Sequence, residues 1–304
     1  MLRAAMKLWL KYLAGILLGG ALALALPPSF SSRPDLVFLV ADIATRVGGY
    51  ALILLLVTNL AASVFHANEA HTFWKIAGRT LLLDLLALVA ATALGMAASR
   101  LAQAFPLSLP TDQNMLQIPD PQSMLKDIFP NSIFSVFVKS ESMLLPVLLF
   151  TFAVGMTLAH DPVMARPIVP LLDVLAKASS FLNAFIAEIL GIVLIPLVLA
   201  AVLRMRTVII TPGSGAFLWM LALATILMLG LVLPFAYRML GGKTNPYVLL
   251  YAMAAPLIAA LVSGDLRFAA GSAFHHAKED GITEERTAGI VFPLHFLMGR
   301  IGSA

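Results

Sequence analysis

Apolar residues occupy this chain in long blocks separated by short polar segments. A helix that crosses a bilayer needs roughly 20 consecutive, mostly apolar residues. Six stretches meet that need, near 8–26, 36–65, 76–104, 142–160, 168–203 and 215–238, and a seventh apolar stretch begins near Thr287. The second and fifth exceed what a bilayer requires, so they are predicted to tilt, kink or project into water. The first has a basic flank, Arg3, Lys7 and Lys11, and ends at Pro27-Pro28. A cleaved signal peptide competes for it. Its length and the lack of a small-residue cleavage site favour a retained helix.

Two stretches depart from this rhythm. Residues 105–141 are rich in proline and polar side chains and predict an outer loop leading into a segmented fourth helix. In residues 246–280, apolar Tyr247–Val262 is interrupted by Ser263-Gly264-Asp265, resumes as Leu266–Phe274, and meets the polar run His275–Asp280. Neither arm spans a bilayer. A re-entrant hairpin fits that pattern, against the plainer reading of a cytoplasmic loop between two short helices. Irregular backbone survives at membrane depth only when protein or a water-filled cavity shelters it, and broken helices with polar tips are where transporters hold their solutes. The expected fold is all-α: a polytopic membrane protein with about six full transmembrane helices, a re-entrant helical hairpin, and a truncated seventh helix.

Composition supports that class. Of 304 residues, 60% are apolar and 12% charged, against about 25% charged in soluble domains. With no cysteine there is no disulfide, thiolate chemistry or Cys-ligated metal. The net charge of +4 fits cytoplasmic loops better than a nucleic-acid partner. With the N-terminus cytoplasmic, the inner segments carry Arg3, Lys7, Lys11, Lys75, Arg79, Arg166, Arg238, Lys243, Lys278 and Arg286. The outer ones carry Arg33, Lys126, Lys139, Arg204 and Arg206. The bias places a multi-pass protein in the cell (inner) membrane with its N-terminus inside, and Arg204 and Arg206 run against it. G-x-S-x-G, H-E-x-x-H and Walker A motifs are all missing, which argues against an enzyme, a bound cofactor and ATP-driven transport.

Ionisable residues inside spans are costly and are functional candidates by default. Asp42 and Arg46 are spaced to pair along one helix, as are Asp173 and Lys177. Asp84 stands among leucines with Thr80 and Leu88 at helical spacing, so it faces the protein interior, binds a cation or carries a proton. Glu188 poses the same question. Ser263, Gly264 and Asp265 form the hairpin break, and Arg267 follows two residues on. Arg300 lies in the final apolar stretch beside Gly299 and Gly302 and needs an anionic partner: Asp265, Asp84 or an anionic solute. His275 and His276 point about 100° apart on a helix, too divergent for a metal pair, and are expected at the interface.

These residues resemble the dicarboxylate/amino acid:cation symporter family, the glutamate-transporter homologues. Ile128–Phe134, Leu145-Pro146-Val147 and Ala153–Ala159 resemble that family's approach to its fourth helix. Leu233-Pro234 and Asn245-Pro246 resemble its sixth helix and the lead into its first hairpin. Ala277–Glu284, Pro293-Leu294 and Gly302-Ser303-Ala304 resemble the hairpin exit and the start of helix seven. The resemblance implies an elevator-type secondary transporter that assembles as a homotrimer in the lipid bilayer. Its solute would be a small anionic or zwitterionic carboxylate or amino acid. Residues 1–237 would hold helices one to six, 246–280 the hairpin and 287–304 the start of helix seven. Helices one, two, four and five would form the scaffold; helices three, six and seven and the hairpin would move. The solute site would draw on Ser263, Gly264, Asp265, Arg267, Arg300, Gly302 and Ser303, with Asp84 and Asp265 coupling to a cation, sodium or a proton.

The departures are specific. The family's serine-rich tip is Ser263-Gly264-Asp265-Leu266-Arg267 here, and its sodium-coordinating Asn-Met-Asp falls on Gly299-Arg300-Ile301. The family continues beyond the position of Ala304 with the rest of helix seven, a second hairpin and an eighth helix, so the chain reads as lacking the C-terminal third. The alternative expectation is a non-transporting membrane scaffold or assembly partner. A channel is disfavoured, since nothing resembles a selectivity filter or a ring of like charges.

Overall fold

The computed structural model describes residues 2–26, 34–102, 126, 128–129, 131–138, 144–209, 214–239, 242, 244–279 and 285–298. Among them there is no strand. The helices are α1 (Leu2–Ala25), α2 (Pro34–Gly49), α3 (Leu52–Glu69), α4 (Phe73–Ala102), α5 (Ile133–Val138), α6 (Leu145–His160) and α7 (Pro162–Ile209). They continue as α8 (Ser214–Leu227), a π turn (Met228–Val232), α9 (Leu233–Met239), α10 (Pro246–Ala252), α11 (Ala254–Ser263), α12 (Leu266–Glu279) and α13 (Glu285–Met298). Five helical stretches are long and apolar enough to cross a membrane: Leu8–Ala25, Leu36–Glu69, Phe73–Ala93, Val163–Arg206 and Leu218–Met239. The pair α10 and α11, bent by 60°, makes a sixth if it is one span. The protein is therefore an all-α polytopic membrane protein.

Local chemistry explains where these helices stop and bend. The fourth predicted span is the 16-residue α6, shorter than a crossing needs. Pro146 sits in its first turn, and Asp161 turns extended before Pro162 opens α7. The Asp161 carboxylate then accepts from the Val163 and Met164 amides as the N-cap of α7. In the sixth span Pro234 has no N–H to give the carbonyl four residues back, that of Gly230. The helix loosens into the π turn there, and the Tyr247 hydroxyl donates to the Gly230 carbonyl at 3.1 Å. The predicted single arm Tyr247–Val262 is in fact two helices. Pro256 leaves the Ala252 carbonyl without its helical donor, and the chain bends at Met253.

The chain forms two compact units. The first comprises residues 1–52, 90–108 and 182–283. Its core joins Leu8, Tyr12, Leu190, Leu194, Ala259 and Phe268. Here α11 and α12 pack on each other, α11 lies on α1, and α12 lies on α2. Glycine sets two of the approaches. A side chain at Gly15 would strike the Gly191 backbone, so α1 and α7 meet main chain to main chain. A side chain at Gly48 would strike the ring of fully buried Phe268, which fixes α12 on α2.

The second unit comprises residues 53–89, 109–181 and 284–304. Gly155 of α6 packs on Val64 and Ala61 of α3, and Gly289 of α13 packs on Ser63 and Asn59 of the same helix. Polar groups bind α3 to the first half of α7: the buried Thr58 and Ser179 hydroxyls are 2.9 Å apart, and half-buried His66 Nε2 lies 3.1 Å from Asp173 Oδ1.

Candidate functional site

In the first unit the break between α11 and α12 is built by three residues. Gly264 closes α11 with φ +63°, a left-handed conformation that costs glycine nothing. Its amide donates to the Ala260 carbonyl at 3.0 Å. The Asp265 amide donates to Ser263 Oγ, and Ser263 Oγ donates to the Asp265 carbonyl, both at 3.2 Å. Asp265 Oδ1 accepts from the Arg267 amide at 2.9 Å, which makes Asp265 the cap of α12. Ser263, Asp265 and Arg267 are half-buried and Gly264 is exposed, with open space where a side chain would project. The break thus carries one carboxylate and one hydroxyl, with an arginine two residues on and open space at the glycine.

Behind this tip α12 is anchored by buried polar contacts. Asn183 Nδ2 of α7 donates to the Gly271 carbonyl at 2.6 Å. The Tyr12 hydroxyl of α1 donates to the Ala187 carbonyl at 2.8 Å and lies 3.2 Å from Ser272 Oγ. His276 Nδ1 is 2.8 Å from the Ser272 carbonyl, and its Nε2 is buried without a hydrogen-bond partner among the described residues. The expectation that His275 and His276 sit together at the interface is corrected for His276, whose side chain is buried, because it falls on the face of α12 that carries buried Ala269 and Ser272.

In the second unit Asp84 of α4 has a partner the helical spacing did not reveal. Its Oδ1 lies 2.8 Å from Nδ1 of His295 on α13. The Asp84 side chain is 9% exposed, that of His295 54%, and Asp84 Oδ2 is buried without a partner among the described residues. Arg300, Gly302 and Ser303 lie outside the described residues.

The other acidic candidates each have a side-chain partner. Arg46 Nε pairs with Asp42 at 3.0 Å on an exposed face. Lys11 Nζ pairs with Glu188 at 3.3 Å, also exposed. Asp173 meets His66, a residue the sequence reading passed over. It also passed over Thr58, Asn59 and Ser63, which continue the same buried polar stripe of α3. The spacing of Asn59, Ser63 and His66 by four and three residues was the available signal.

A polytopic helical protein whose broken hairpin is packed among its other helices has the form of a secondary transporter. Residues 8–304 match the model of the sodium:dicarboxylate symporter family, and the chain belongs to that family. No curated protein matches it.

Proposed function

We propose that this chain moves a small anionic or zwitterionic solute, a carboxylate or an amino acid, by an elevator-type mechanism, with the Ser263–Arg267 break contacting the solute. The observation that carries this reading is the capped, glycine-opened break on a hairpin held by Tyr12, Asn183 and Gly48. Arg267 and Arg300 supply the cations a carboxylate needs, and Gly302 and Ser303 complete the site. The hairpin, 246–280, acts with the third, sixth and seventh helices as the moving part. The remaining helices form the trimeric scaffold in the inner membrane.

Asp84, and Asp265 at the tip, take up the coupling cation. Arg300 stands where the family has a sodium ligand, so its tethered charge replaces a sodium ion. Uptake of radiolabelled aspartate and succinate into proteoliposomes, with and without sodium or proton gradients, tests this. Uptake should persist without sodium and fall in Arg300→Ala. Strict sodium dependence unchanged in that variant would sink the tethered-cation reading.

One observation favours the second reading, a scaffold that does not transport. The polar atoms of Ser263 and Asp265 are engaged in shaping the break itself. A solute that binds the folded protein raises its melting temperature. No shift with any carboxylate or amino acid, and no uptake, would leave the scaffold reading standing.

A further inference from the structure

The second unit contains a basic cavity that no transport role employs. It has a volume of about 360 Å³ at the corner between α3 and α4, and is lined by His66, Thr72, Lys75, Arg79 and Thr287 among others. Lys75 and Arg79 are four residues apart on α4 and share one face. Like charges so placed repel each other unless an anion lies between them. The nearby acids Asp173 and Glu69 are turned to His66, at 3.1 and 4.0 Å. Among the described side chains no carboxylate reaches Lys75 or Arg79.

Depth and shape define the anion. Trp74, 70% exposed, adjoins Lys75, and an outward tryptophan at the end of a span marks the headgroup layer. From Arg79 the same face of α4 continues as Leu82, Leu86 and Val89, exposed by 57%, 53% and 60%. Ten residues of helix rise about 15 Å, half of a hydrocarbon core of about 30 Å. A cation pair at headgroup depth thus opens onto an uncovered apolar stripe one leaflet long.

We propose that this cavity and stripe bind one anionic glycerophospholipid, its phosphate held by Lys75 and Arg79 and an acyl chain laid along Leu82, Leu86 and Val89. Arginine grips phosphate oxygens in a two-pronged geometry, and basic pockets between membrane helices take lipid headgroups. A soluble phosphate would use the cations and leave the stripe unused.

Native mass spectrometry of the full chain in detergent tests this by titration with dioleoyl phosphatidylglycerol, dioleoyl phosphatidylcholine and glycerol phosphate. Phosphatidylglycerol should bind well above the other two. In Lys75→Gln/Arg79→Gln its affinity should fall by about thirtyfold, about fivefold per cation, with phosphatidylcholine unchanged. The single variants Lys75→Gln and Arg79→Gln should each show a partial loss, and Arg79→Lys should retain most of the binding. These carry the test if the double variant fails to fold. Equal binding of both lipids, or phosphatidylglycerol binding untouched by the substitutions, overturns the proposal. Binding of glycerol phosphate as tight as that of phosphatidylglycerol overturns it in favour of a soluble-anion site.

Discussion

Asp265 carries two readings that one pair of substitutions separates. Its carboxylate caps α12 through the Arg267 amide. Asparagine caps about as well as aspartate, whereas alanine loses about 0.5–2 kcal/mol. Asp265→Asn should therefore melt close to the parent and Asp265→Ala several degrees lower. If the charge also serves solute or cation, Asp265→Asn loses uptake while keeping its stability; if the residue only shapes the break, Asp265→Asn transports normally. Gly264 is a simpler case. At φ +63° a Cβ is strained, so Gly264→Ala should cost about 1–2 kcal/mol in thermal unfolding, although the space around it is open. The break was legible in the sequence because Ser-Gly-Asp is local turn and cap chemistry. The partner of Asp84 was not, because His295 lies 211 residues away, and only the packing of α4 with α13 brings the two together.

At the scale of the element, helices in lipid gain little from burying apolar surface and depend on close backbone approach and buried polar contacts. Gly15 and Gly191 provide the first for α1 and α7. Gly15→Leu should destabilise the protein by about 1–3 kcal/mol through overpacking. Gly20→Ala, on the same helix with nothing near its position, should hold or slightly raise the melting temperature. Polar contacts provide the second for α12. Tyr12→Phe removes the hydroxyl that meets Ala187 and Ser272 in a buried setting and should cost about 1–3 kcal/mol. The spans themselves were legible because hydropathy reports the length of an apolar block. Their interruptions were less so. Pro256 and Pro234 were plain in the sequence, but an X-Pro step inside an apolar block does not say whether the helix kinks, loosens or ends. Neighbours decide that, as the Tyr247 hydroxyl does by satisfying the Gly230 carbonyl. The α3 stripe of Thr58, Asn59, Ser63 and His66 escaped because attention to full charges overlooks hydroxyls and amides, which also join membrane helices.

For the molecule as a whole the open question is sidedness, and the two arginines that ran against the positive-inside bias bear on it. The Arg206 guanidinium donates to the carbonyls of Ala23 at 2.6 Å and Leu26 at 3.4 Å, at the C-terminal end of α1. A cation there satisfies unpaired carbonyls and the negative end of the helix dipole. The Arg204 guanidinium lies 4.8 Å from the centre of the Phe38 ring, near the start of α2. Both cations are thus held by the protein at one end of the first unit, and a held cation is a weak reporter of the cytoplasmic face. With these two set aside, the positive-inside rule predicts a cytoplasmic N-terminus with a clearer charge bias than the raw count. The chain has no cysteine, so each single-cysteine variant carries one thiol. In intact cells, a membrane-impermeant maleimide added outside should label Leu26→Cys at the end of α1 and leave Thr244→Cys unlabelled until the membrane is opened. The reverse pattern would invert the topology, and with it the side from which the Ser263–Arg267 break is reached.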